Sequence, residues 1–131
     1  MKFVCLGCMD KEAWNRLGPA EQEAMVKACT DFDEELAAQG HFADGFALQD
    51  SSAATTIRWK GGKASLVDGP FAETKEMLGG ILILEAKDMA EALAIMSRHP
   101  GIRIGPFEIR PANEAFMAQH PVMQKLMERR K

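Results

Sequence analysis

The chain has 131 residues, 47% of them hydrophobic and 27% charged, with a formal net charge of −3; this is enough for one domain that folds on its own core without staples. The acidic balance excludes a general nucleic-acid binder, which needs a basic face to displace phosphate counterions. No apolar run reaches the roughly 18 residues of a membrane span, the opening residues are too short in apolar length for a signal peptide, and an odd number of cysteines suits reduced thiols in the cytoplasm.

Residues 3–8 are apolar without alternation, which predicts a strand covered on both faces. Cys5 and Cys8 form a C-x-x-C with neither a following helix start nor a second pair, so they are read as core cysteines that point to opposite faces of that strand. Residues 9–18 are expected to be a loop. Pro19, Glu21 and Glu23 then start a helix on which Met25, Cys29, Phe32 and Leu36 repeat at helical spacing until Gly40 stops it. Lys27, Asp31, Glu34 and Glu35 form its solvated face.

Residues 41–50 allow an irregular strand. Thr55, Ile57 and Trp59 alternate with Thr56, Arg58 and Lys60, Gly61-Gly62 turns the chain, and residues 63–67 return as a partner strand. This hairpin delivers the most chemically dense stretch, Asp68-Gly69-Pro70-Phe71-Ala72-Glu73-Thr74-Lys75-Glu76. Gly69-Pro70 forces a turn, and Asp68 at its mouth is expected to accept hydrogen bonds from backbone N–H groups just beyond it, which gives it structural work whatever else it does. Glu73, Lys75 and Glu76 on the same stiff loop are either convergent binding groups or a solvated network.

Residues 81–84 are again apolar on both faces. Asp88 and Glu91 make a capping-box-like start for a second helix with Met89, Ala92, Leu93 and Met96 on its buried stripe, and Pro100-Gly101 ends it. Residues 103–110 alternate, Ile104, Phe107 and Ile109 against Glu108 and Arg110, as in an edge strand. Asn113 caps a last helix broken by Pro121, and Arg129-Arg130-Lys131 closes it. His99 before Pro100 is either a helix-end residue bonded to nearby carbonyls or a group for proton transfer; His41 and His120 are assigned to the surface.

The order is a split βαβ pattern, α+β, which makes a ferredoxin-like βαββαβ fold with an inserted hairpin the economical reading. Two helices cover one face of such a sheet, yet its central strands are apolar on both. A second subunit packed sheet to sheet, or the C-terminal helix, has to cover the other; the break at Pro121 favours a homodimer. The phosphate-loop pattern is absent, no His/Cys/carboxylate set has metal-ligand spacing, and neither metal nor cofactor is expected.

The nine-residue loop, followed by Gly79-Gly80 and by Glu108-Ile109-Arg110-Pro111, resembles the DGPF-domain proteins of the YCII-related superfamily, in order and spacing over about residues 1–111. The resemblance implies a domain over residues 1–112 with a helical extension at 113–131, and a dimeric α/β barrel. It implies either a small enzyme, for which Asp68, raised by the resemblance, or His99, from its own position, is the candidate acid or base, or a non-catalytic module that binds a small molecule or a protein partner, in some members one linked to sigma factors. It raises Phe71, Glu73, Lys75, Glu76 and Arg110 as ligand-binding residues, with Lys75 and Arg110 suited to a small polar or anionic metabolite. Narrower YCII-related proteins carry a His on the first helix and an Asp-Pro before the last strand as a proposed catalytic pair. Here residues 19–39 contain no His and the Asp-Pro position reads His99-Pro100, so that pair does not carry over as it stands.

Overall fold

A computed structural model describes residues 1–129; Arg130 and Lys131 of the terminal basic cluster lie outside them. Six strands and five helices follow in the order β1 (Lys2–Asp10), α1 (Lys11–Asn15), α2 (Pro19–Ala38), β2 (Phe42–Ala47), β3 (Thr55–Lys60), β4 (Lys63–Asp68), β5 (Glu76–Glu85), α3 (Met89–Met96), β6 (Phe107–Pro111), α4 (Glu114–Ala118) and α5 (Pro121–Glu128). Four of the strands form one antiparallel sheet in the order β2-β5-β1-β6, and β3 and β4 form a separate ribbon. The alternation along β1 shows why the sheet faces differ: Phe3 and Cys5 are fully buried, whereas Val4 and Leu6, which alternate with them, are half-buried.

Register extends that division across the sheet. Leu84 and Leu82 stand opposite Phe3 and Cys5, and Ile109 also stands opposite Cys5, so these side chains share one face. That face meets Leu36 of α2 and Ala92, Ile95 and Met96 of α3 in a single core. The other face carries Val4, Leu6, Ile81 and Ile83, and no helix buries them in the chain: α4 and α5 contain no buried residue, and Phe116, Val122 and Leu126 are exposed. The strands expected to be covered on both faces are therefore covered on one.

Several local expectations change. Residues 11–15 form α1 rather than loop, because Asp10 caps it by accepting from the N–H groups of Glu12 and Ala13 at 3.0 and 3.3 Å. On α3, Ile95 takes the buried position expected for Leu93, which is 47% exposed. A 3₁₀ turn occupies Pro100–Arg103, so the last strand begins only at Phe107. His41 is half-buried rather than superficial; its Nδ1–H donates to the Glu85 carbonyl at 2.7 Å and ties the start of β2 to the end of β5.

Candidate functional site

Helix α3 ends at Met96 with Ser97 as its C-cap, and two residues after the cap His99 adopts the extended backbone that a following proline favours, with φ −66° and ψ 126°. This turns the imidazole inward under α2. The residue is 6% exposed. Its ring lies 5.2 Å from that of Phe32 in an edge-on arrangement and 5.0 Å from that of Phe107. Nδ1 accepts the N–H of Gly101 at 3.0 Å, and Nε2 lies 3.3 Å from Oδ1 of Asp33. Because Nδ1 is an acceptor in this arrangement, the ring hydrogen resides on Nε2 and is donated to the carboxylate.

Asp33 is the residue the sequence reading passed over. A signal was present: it falls four residues after Cys29 and three before Leu36, so a carboxylate stands on the apolar side of an otherwise ordinary amphipathic helix. The long helix and the segment before Pro100 thus bring a carboxylate and an imidazole together here.

The pair opens into a cleft of about 550 Å³ between α2 and the sheet. Its walls are soft and apolar: Met9, Met25, Met77, Trp14, Phe42 and Phe107. Lys11 and Asp50, also in its lining, pair with each other at 3.0 Å. Ser52, first through its hydroxyl and then its N–H, together with Lys11, holds the Asp50 carboxyl at about 2. Cys29 faces the same space, where burial pushes its thiol up and the Asp33 carboxylate adds to that effect, against a smaller opposing pull from the Gly101 N–H. It is a protonated wall residue rather than a nucleophile. Among the described residues no group of His, Cys, Asp and Glu has the arrangement of a metal centre.

Of the candidate catalytic and ligand-binding residues named from the sequence, only His99 lines this cleft. Asp68 ends β4 opposite Thr55, and its side chain makes no hydrogen bond among the described residues. The Gly69-Pro70 turn is fastened by others, the Gly69 N–H donating to the Ala54 carbonyl at 2.7 Å and the Thr56 hydroxyl donating to the Gly69 carbonyl at 2.7 Å. The capping role expected of Asp68 is therefore corrected. Asp68→Ala is expected to melt within about 0.5 kcal/mol of the parent, as surface substitutions do; a loss beyond about 1 kcal/mol in chemical denaturation would restore the capping role.

Phe71 is 78% exposed and, with Glu76, borders a second hollow that shares Leu48, Asp50, Met77 and Leu78 with the first, so the loop stands at the cleft's mouth. Glu73 is exposed. Lys75 reaches Asp10 at 3.5 Å. Burial works to raise the Asp10 carboxyl, but the N–H groups of Ala13 and Glu12 and the Lys75 ammonium hold it below the usual range. Arg110 pairs with Glu108 on the open sheet face, opposite Val4. Asp10 lies six residue steps along β1 from Val4, roughly 20 Å of strand, so Lys75 and Arg110 do not close on one anion.

A family model, the YCII-related domain, matches residues 1–116. An uncharacterised protein of Rhizobium meliloti is 29% identical over 115 residues, which span 85% of this chain and 91% of that protein. Among solved structures, the 5-chloro-2-hydroxyhydroquinone dehydrochlorinase of Burkholderia phenoliruptrix, in complex with 2,5-dihydroxybenzoquinone, is similar with a TM-score of 0.50 and 16% identity over 85% of this chain and 92% of that one. At that identity the likeness concerns the fold. The family match covers the sheet, both packed helices, the cleft and the Asp33–His99 pair, and the chain belongs to the YCII-related domain family.

Proposed function

We propose that the protein is a small-molecule enzyme working by proton transfer in the cleft between α2 and the sheet. The observation that carries this reading is the hydrogen-bonded Asp33–His99 pair opening into a 550 Å³ apolar cleft. A buried imidazole bonded to a half-buried carboxylate in a mostly apolar cleft is an arrangement suited to acid–base chemistry. The thioether and aromatic walls fit a compact ring compound, the kind of molecule that 2,5-dihydroxybenzoquinone is in the dehydrochlorinase complex.

A panel of small phenols, quinones and cyclic ketones tests it, read first by thermal shift and then by loss of the compound. A substrate raises the melting midpoint of the wild type by mass action and is consumed. Asp33→Asn should still bind it while turnover falls by about 10² or more, the usual contribution of a general acid or base. A compound that binds and is never converted would instead make the protein the non-catalytic module.

The strand order and antiparallel directions support reading the sheet as ferredoxin-like, and the open apolar face supports a homodimer closed into a dimeric α/β barrel. Val4, Leu6, Ile81 and Ile83 form that face, with Phe46 at 69% exposure on β2 beside Ile81. A contiguous apolar surface of this kind marks an interface, and a twofold copy supplies the matching one.

A further inference from the structure

The acid–base reading leaves a choice between the two members of the pair, and the geometry distinguishes them. The His99 side chain is 7% exposed and that of Asp33 is 35% exposed. Both imidazole nitrogens are engaged, Nδ1 by the Gly101 N–H and Nε2 by Asp33, while Phe32 and Phe107 pack on the ring. Nothing remains on His99 for a bound molecule. A carboxylate has about four lone-pair positions on two oxygens; among the described residues, Asp33 uses only Oδ1, in its bond from His99. The lysine in the lining does not neutralise it either, because Lys11 is paired with Asp50; Arg98 lies outside the cleft, 5.8 Å over the Phe32 ring.

We propose that Asp33 is the residue that meets the bound molecule, accepting a hydrogen bond from its hydroxyl, that His99 is a positioning residue holding the carboxylate from behind, and that the cleft selects a neutral hydroxylated ring over its anion. This rests on the reading of the cleft as the working site and assigns the roles within it. The carboxylate on α2 is open to the cleft and the imidazole before the proline is packed away, so the group left for a bound molecule is an anion. An acceptor-only group at the foot of an apolar cavity favours a partner that brings a hydrogen and penalises a second negative charge.

The probe is 4-nitrophenol, which half-ionises near neutral pH and is coloured only as the phenolate. It is mixed with the full chain carrying Trp59→Phe, so that quenching of Trp14, a cleft residue, reports occupancy. At the probe's own midpoint, binding should bleach the colour, because the cleft withdraws the phenol. In Asp33→Asn the bleaching disappears, since an amide also donates to a phenolate. His99→Gln, whose amide N–H still reaches Asp33, keeps the bleaching; His99→Ala weakens binding about tenfold, the loss of one hydrogen bond to a charged group, with the preference for phenol retained.

Retention of bleaching in Asp33→Asn with its loss in both His99 variants would overturn the assignment and make His99 the ligand-facing group. Equal binding of phenol and phenolate by the wild type, or no quenching of Trp14, would overturn the selection of a neutral ring. Turnover plays no part in these readouts: failure to convert any compound counts against the catalytic reading alone.

Discussion

Gly105→Ala should cost about 3 kcal/mol or more and lower the melting temperature by roughly 10 °C. A Cβ at this position would collide with the Cys8 carbonyl oxygen and stand 2.9 Å from the Cys8 carbonyl carbon and 3.0 Å from Cα of Met9. These are backbone atoms of a central strand and have no rotamer to yield. The close approach exists because two bonds flank it, the Cys8 N–H to the Pro106 carbonyl at 2.9 Å and the Asp10 N–H to the Ile104 carbonyl at 3.0 Å. Together they fasten the segment after His99 to the end of β1, where Cys8 and Met9 line the cleft. An added methyl group must part these strands and break at least one of the bonds, so the same substitution should also disturb ligand binding. Gly40→Ala is the comparison: its φ is +81° with open space around it, so it carries only the left-handed backbone penalty of about 1 kcal/mol. Equal losses from the two substitutions in urea denaturation would mean that the 105 loop adapts and that the close approach is not what holds it.

The contrast between these glycines shows what sequence reading reached. Gly61-Gly62 was legible as a hairpin turn because its neighbours alternate on either side, and Asp88 was legible as a cap because an apolar stripe follows it at helical spacing. Both signals lie within a few residues of one another in the chain. Gly105 presses on Cys8, and Asp33 meets His99 across 66 residues of separation, so neither relationship leaves a local pattern. Asp68 erred in the opposite direction. Its position before Gly69-Pro70 has the local signature of a capping carboxylate, and the tertiary contacts of Gly69 with Ala54 and Thr56 took over the work. Chemical density misled similarly at the nine-residue loop: its charges pair at or remain on the surface, while the cleft behind it is built from methionines and aromatic side chains that sequence alone assigns to core. The loop's contribution is to brace that cleft's mouth, through Lys75 on the cap of the helix that carries Trp14.

Ile81→Arg should convert a dimer into a folded monomer. Ile81 lies on the open face of β5, with Leu6 of β1 on one side and Phe46 of β2 on the other, so it stands in the interior of the apolar patch and not on its rim. In an isolated chain this face meets water, and an arginine there extends into solvent at little cost. In a sheet-to-sheet dimer, a twofold interface repeats the substitution on both copies and buries two like charges, each carrying a desolvation penalty of several kcal/mol. Association, which depends on the apolar area of that face, should weaken by at least about 10³, and the midpoint of thermal unfolding should lose its dependence on protein concentration. Sedimentation at micromolar concentration should then give twice the 14.4 kDa chain mass for the wild type and a single chain mass for the variant, with matching circular dichroism. A wild type that sediments as a compact monomer refutes the barrel outright. A variant that remains dimeric moves the interface elsewhere, and the β3–β4 ribbon is then the surface to test, since Ile57, Trp59 and Leu66 share one of its faces and are at least 67% exposed.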